Sequence, residues 1–380
     1  MVVILLSCMS FNVSTSQTIT IKNNTRIDYN DKVIELKFKE IKNHFSWLSE
    51  GNFKIINKNT KKELPYQLEY KGIKRPINVL IQLTLKQKEK LELTLLEENP
   101  SDFKVKTFAR FVPERADDFA WENDKIAFRT YGKALELTPK QNAYGIDVWV
   151  KRTDKMIINE RYKRGKYHED HGDGLDYYHV GYTLGAGNCA PFLNDSIWYS
   201  KNYTKYEVLD NGPLRTTFKL YFDEWDVAKY KVRATKTITL DAGSQCNKIE
   251  VHYYSSSKGR IPIAVGIIKR EEEGHVLFDK QKGVLGYWEP TYEKYGTTGV
   301  GVVIPLKMDE MKARKDQYLA VFKVPLNKVF TYYSGAAWDR AGEFTSNTQW
   351  FNYLKDFRSM SEIKSLEVTY SNNIKTLKNN

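Results

Sequence analysis

The apolar residues of this chain recur with a period of two, and that pattern restricts its fold more than any other feature. TITIKN (18–23), KVIELKF (32–38), FKIIN (53–57), INVLIQLTL (77–85) and KLELTLLE (90–97) alternate apolar and polar side chains. Such alternation puts the apolar set on one face of a half-buried strand. Turn residues at Asn99-Pro100-Ser101-Asp102 close this first group, which reads as a small β-sandwich over 17–110. The pattern resumes in KIAFRTYG (125–132), GIDVWVKR (145–152), RTTFKLYFDEW (215–225), YKVRATKTITLDAG (230–243) and NKIEVHYYS (247–255). The last two flank an Asp-Ala-Gly-Ser turn and predict a long antiparallel hairpin. GVGVVIPL (299–306), QYLAVFKV (317–324) and KVFTYYSGAAW (328–338) extend the same sheet. Helical spacing shows in two places. One is 153–163, with Thr153 as the expected cap. The other is 347–357, which turns Trp350, Phe351, Leu354 and Phe357 to one side. The expected fold is all-β with few short helices: a small N-terminal sandwich, then a large two-sheet sandwich over 111–380.

The chain carries 25 Tyr, 18 Phe and 8 Trp, a supply of rings that suits strands and sugar clefts alike. Its formal charge is +12, which favours acidic partners. The lysines are scattered and no nucleic-acid motif occurs, so an acidic carbohydrate is the expected partner. The opening MVVILLSCMSFN has a short apolar run ending at Cys8. It resembles a lipoprotein leader without the usual basic start, and is too short to span a membrane. Residues 1–16 are therefore expected to be leader and tether. The protein is expected to be exported to the periplasm, with a lipid anchor at Cys8 as its only membrane attachment. Cys189 and Cys246 remain; they allow at most one disulfide, and the lack of any CxxC excludes finger-type zinc.

The densest chemistry lies in YHEDHGDGLDYYHVGY (167–182), where His168, His171 and His179 stand among four acids and four tyrosines. Gly172 and Gly174 predict a tight loop that leads into extended chain. Along that chain Tyr177 and His179 share one face, Asp176 and Tyr178 the other. His168 and His171 do not have the HExxH spacing, and the glycines oppose a helix, so no metal site is assigned.

FVPERADDFAWENDKIAFRTYGKAL (111–135), YGIDVWVKR (144–152), YHEDHGDGLDYYHVGYTLGAG (167–187) and GYWEP (286–290) resemble a family of exported Bacteroidetes proteins encoded in polysaccharide-utilisation loci. Within that family the chain looks like the oligosaccharide dehydratases that act on ulvan, a sulfated, uronate-containing algal polysaccharide. The resemblance implies a galactose-mutarotase-like β-sandwich. It also implies elimination of water across C4–C5 of a non-reducing-end uronic acid, giving a 4,5-unsaturated uronyl product. It pairs Tyr178, at the C5 proton, with His171, at the C4 hydroxyl, in either order of roles.

That chemistry needs a base, an acid and a cation to neutralise the sugar carboxylate, and no redox cofactor. A divalent ion could replace the cation. Arg115 and Arg129 are the first choices for the cation, ahead of Lys151 and Arg152 and with Arg110 also in range. The plainer reading of Arg115 is an ion pair with Asp117 or Asp118. Arg129 and Tyr131 alternate on one strand face and read as a cleft wall. Trp121, Trp149, Trp288 and Trp338 are the sugar-platform candidates, with Trp149 and Trp338 preferred and Trp338 in SGAAWDRAG expected to be the most exposed. His168, Tyr177 and His179 complete the substrate contacts, and the Tyr177–His179 face competes with Tyr178 for the catalytic role. A polysaccharide lyase, a mutarotase-like epimerase or a non-catalytic glycan-binding lipoprotein would share these features.

Overall fold

The computed structural model describes residues 15–138, 143–292, 294–362 and 366–374. The expected anchor at Cys8 lies outside them. The architecture is all-β, with helices confined to short segments.

Two sheets form the N-terminal part. One holds Thr15–Asn23, Lys54–Asn57, Lys90–Leu96 and Leu366–Ile374; the other holds Tyr29–Lys37, Tyr66–Glu69 and Asn78–Leu85. Ile19, Ile21, Ile55 and Leu93 of the first meet Ile34, Leu36, Val79 and Ile81 of the second in one core. Period two thus delivers one apolar face per sheet, and the two faces cover each other. Leu366–Ile374 pairs antiparallel with Thr15–Asn23, with Tyr370 opposite Ile19. This sheet therefore joins both ends of the described chain.

The larger part is built on an eight-stranded antiparallel sheet. Its order is Lys205–Asn211, Arg215–Val227, Tyr230–Asp241, Cys246–Tyr254, Val329–Trp338, Thr298–Val303, Val284–Trp288 and His275–Asp279. The expected hairpin lies at its centre, with Ile238 opposite Ile249 and Gly243 at a positive φ in the turn. Two five-stranded sheets cover one face. Arg260–Ile268 is the middle strand of one and Ala127–Thr130 of the other. Ile263, Val265 and Phe322 from one, and Phe119, Phe128 and Val148 from the other, share a core with Phe218, Ile249, Val300 and Tyr332.

The helix Asn347–Glu362 covers part of the opposite face, against Val284–Trp288 and Thr298–Val303. Trp350, Leu354 and Phe357 are buried there and Phe351 partly so, as their spacing predicts. Gly286, Gly299 and Gly301 lie beneath them. A Cβ at Gly301 would meet Leu354 Cδ1 at 2.4 Å, so the missing side chains let the helix approach. Trp350 also donates from Nε1 to the Val300 carbonyl at 3.1 Å. Trp350→Ala is expected to cost about 3–5 kcal/mol, read as a lower urea midpoint with an unchanged slope.

The other expected helix starts late, at Ile158, and runs to Arg164. Thr153 does not cap it; its hydroxyl accepts from Lys155 N–H at 3.3 Å in the preceding bend. Instead the buried Glu122 carboxylate takes the Ile157 and Ile158 amides at 2.8–2.9 Å. A neighbouring strand thus supplies the acceptor that the free helix amides need. Cys189 and Cys246 are both buried and unpaired, so the disulfide that sequence allowed is not formed.

Candidate active site

Gly174–Asp176 adds an edge strand beside Asp147–Lys151, placing Asp176 opposite Trp149 and Gly174 opposite Lys151. Gly174 has φ of 101°, and a Cβ there would lie 2.2 Å from the Val150 carbonyl oxygen, so only glycine fits. Pairing stops at Asp176, and burial then alternates, with Tyr178 and Val180 buried, Tyr177 partly so and His179 exposed.

Tyr178 faces inward. It is 3% exposed, its ring lies 4.7 Å beneath the Arg270 guanidinium, and its hydroxyl has no hydrogen-bond partner among the described residues. Burial holds that hydroxyl well above the usual tyrosine range. Of the expected pair, Tyr178 belongs to the core, and His171 sits in the loop, 3.7 Å from the Glu169 carboxylate. The competing face is the open one. Tyr177 and His179, with His168 and Asp176, form one wall of a cleft of about 360 Å³.

Arg270 and Glu289, with Tyr292 and Tyr295, also line it. Arg270 donates from Nε to Glu289 at 2.7 Å and from Nη1 to the His179 carbonyl at 2.7 Å. Its guanidinium is thus fixed on two edges and rests on the Tyr178 ring. Burial pushes the Glu289 carboxyl up, against the pull of Arg270. Tyr292 and Tyr295 come from the turn between Val284–Trp288 and Thr298–Val303. Their rings stack at 5.4 Å and 7°, and Tyr292 is 61% exposed, which makes the pair a flat apolar shelf. The Tyr177 ring continues the shelf 5.3 Å from Tyr295, and its hydroxyl bonds Thr298 Oγ1 at 2.6 Å. Burial raises the Tyr177 pKa, so that hydroxyl keeps its proton.

Behind Asp176 lies a buried ionic cluster. Arg129 donates from Nε and Nη2 to Asp147 Oδ2 at 2.9 and 2.6 Å, and from Nη2 to Asp176 Oδ2 at 3.0 Å. Its Nη1 is 3.7 Å from Asp118, which also accepts from Arg115 at 3.1 Å. The Arg129 guanidinium lies over the rings of Trp149, Tyr131 and Tyr167. Burial, then the charge of Asp147, pushes the Asp176 carboxyl up to about 8, and burial pushes Asp118 up to about 6.

Several sequence expectations change here. Arg129 is buried, with Nε and Nη2 taken by Asp147 and Asp176 and Nη1 only near Asp118, so it braces the wall from behind. Tyr131 is buried under the same cluster. Arg115 makes the ion pair with Asp118 that its plainer reading predicts. Lys151 is fully buried and donates to Glu122 at 2.7 Å. Trp149 is buried and stacks on Tyr167 at 5.1 Å. Trp338, expected to be exposed, is 1% exposed and donates from Nε1 to the Tyr295 carbonyl at 2.7 Å. It supports the tyrosine shelf from below. Arg152 lies over the Trp338 ring and pairs with Asp170.

The residues that sequence reasoning passed over are Arg270, Glu289, Tyr292 and Tyr295. Arg270 opens the run REEE, which reads as a solvated charged surface, whereas Glu289 lies inside the GYWEP motif itself. Among the described residues no group of three or more His, Cys, Asp or Glu side chains is placed to hold a metal ion.

A family model described as a domain of unknown function (DUF4861) matches residues 21–364. An uncharacterized protein, P7, of Formosa agariphila is 31% identical over 366 residues, covering 90% of this chain and 91% of that protein. A solved structure described as a protein in glycosyl hydrolase family 38 from Enterococcus faecalis superposes with a TM-score of 0.52 at 8% identity. The match covers 94% of this chain and 49% of that one, and shows a shared fold. An alpha-mannosidase from Enterococcus faecalis V583 superposes at 0.44, with 8% identity over 94% of this chain and 47% of its own. This chain spans about half the length of those two structures.

Proposed function

We propose that this chain, which belongs to the DUF4861 family, is a carbohydrate-active enzyme that removes water from the non-reducing-end uronic acid of ulvan-type acidic oligosaccharides. The observation that carries the reading is Arg270: a guanidinium fixed on two edges at the wall of a cleft that also presents an imidazole, a phenol and a tyrosine shelf. Arginine suits a carboxylate, and the net charge of +12 favours acidic substrates. The fold shared with a glycosyl hydrolase family protein is compatible with sugar chemistry without fixing it.

In this reading the sugar ring packs on Tyr292 and Tyr295, and its C5 carboxylate lies against Arg270. The cation stabilises the charge that develops on the carboxylate as the C5 proton leaves. His179 accepts that proton. The electron pair becomes the C4=C5 bond as C4–O breaks, and the departing hydroxyl takes a proton to leave as water. The reaction requires no redox cofactor.

The test is ultraviolet absorbance of the new unsaturated uronate, with uronate-ended ulvan oligosaccharides as substrate and neutral-ended ones as control. Absorbance should rise only with the first. His179→Ala should slow that rise by about 10²–10⁴-fold, the usual worth of a placed base. Tight binding with no absorbance change would instead identify a glycan-binding protein.

A further inference from the structure

Asp118, Asp147 and Asp176 share two guanidiniums, those of Arg129 and Arg115, and all three acids are buried. Arg129 Nη2 alone serves both Asp147 Oδ2 and Asp176 Oδ2, at 2.6 and 3.0 Å. Two ionised carboxylates on either side of one nitrogen repel each other, and burial strengthens that repulsion, so such a pair retains a proton. The hydrogen bonds say which carboxylate keeps it. Asp147 accepts twice from Arg129 at Oδ2, and at Oδ1 from the Val148 amide at 2.9 Å. Asp176 accepts once from Arg129, on Oδ2. Asp147 is therefore the better-supported anion, and Asp176 is the member of the cluster that reaches the cleft. Arg161 also bears on Asp176 from behind. The same cleft also holds the Arg270–Glu289 pair, Glu272 and His179. His168 lies at the mouth, two-thirds exposed, with Nδ1 at 2.8 Å from the Asp176 carbonyl oxygen and 3.6 Å from Oδ2.

We infer that Asp176 is the acid that protonates the departing C4 hydroxyl, and that His168 is the route by which it regains a proton from solvent. The inference rests on the elimination proposed above. Asp176 gives its proton to O4, the C4–O bond breaks and water leaves. His179 holds the C5 proton and releases it to solvent. Asp176 is then reprotonated through His168, so no net proton is consumed.

The test compares wild type with Asp176→Asn and Asp176→Glu on a uronate-ended oligosaccharide and on its 4-deoxy-4-fluoro analogue. Fluoride leaves without needing a proton. Asp176→Asn should lose about 10²–10⁴-fold in kcat on the hydroxyl substrate, keep KM within a few-fold, and recover most of the loss on the fluoride. The wild-type kcat should fall as pH rises above neutrality, because the proton is then lost. Asp176→Glu should keep that limb at a reduced rate, and the residual rate of Asp176→Asn should lack it. An equal loss on both leaving groups would mark a structural role and overturn the assignment. An Asp176→Asn variant with full rate and an unchanged alkaline limb would overturn it while leaving the proposed reaction standing. A wild type that makes no unsaturated product from either substrate would remove the reaction, and this role with it.

Discussion

Arg270→Met is expected to lower turnover of uronate-ended oligosaccharides by about 10²–10³-fold, the scale for losing one fixed electrostatic contact to a developing charge. Methionine keeps an unbranched side chain beside the Tyr178 ring, over which the guanidinium lies in the wild type. What is lost is the cation and its two fixed hydrogen bonds, to Glu289 and to the His179 carbonyl. Glu289 then stays buried with no cation beside it. Burial already pushes its carboxyl up, so it takes a proton and the fold survives. Arg270→Lys restores charge but not the planar fork, and one ammonium cannot hold the same two edges, so recovery should be partial. Steady-state kinetics with a thermal melt on each variant separates activity from folding. Unchanged kcat/KM in Arg270→Met would contradict the role.

Arg129→Met has the larger expected effect on stability, about 3–5 kcal/mol, the cost of removing one partner from a buried ionic cluster. Asp118, Asp147 and Asp176 would be left facing one another, with the partly exposed Arg115 paired to Asp118 and Arg161 further off. The pH dependence follows from the raised carboxyls. Asp176 and Asp118 bind protons more tightly in the folded protein than in the unfolded chain. Their stabilising contribution is full below the ordinary carboxylate range and falls as pH rises, through about 6 for Asp118 and about 8 for Asp176. Arg129→Met should steepen that decline, because three acids then compete for protons without their cation. Urea denaturation on either side of this window measures it. A variant as stable as wild type at high pH would contradict the account.

Much of the fold was legible because it depends on local periodicity. The alternation in 230–243 and 247–255, with Gly243 between, requires little beyond the hairpin to be satisfied. The helix at Trp350, Leu354 and Phe357 was readable for the same reason. The start of the helix at Ile158 was not, because its amide acceptor, Glu122, lies 36 residues earlier in the chain.

The stretch that lines the candidate cleft was legible, and the facing of its side chains was not. YHEDHGDGLDYYHVGY does form a cleft wall, but alternation leaves both faces of 176–179 chemically attractive. Only the core beneath Arg270 decides that Tyr178 turns in and Tyr177 with His179 out. Arg129 looked like the substrate cation because its partners, Asp118, Asp147 and Asp176, are scattered along the chain. Trp338 looked exposed because small residues surround it. Those residues instead let its strand sit inside the eight-stranded sheet, paired on both edges.

Mass spectrometry of the products from a uronate-ended ulvan oligosaccharide tests the central claim most directly. The account predicts a product lighter by one water, with the chain intact, formed by wild type and suppressed in Arg270→Met. Two shorter fragments would mean that a sugar rather than water is expelled, and an unchanged mass on every uronate-ended substrate would contradict elimination altogether.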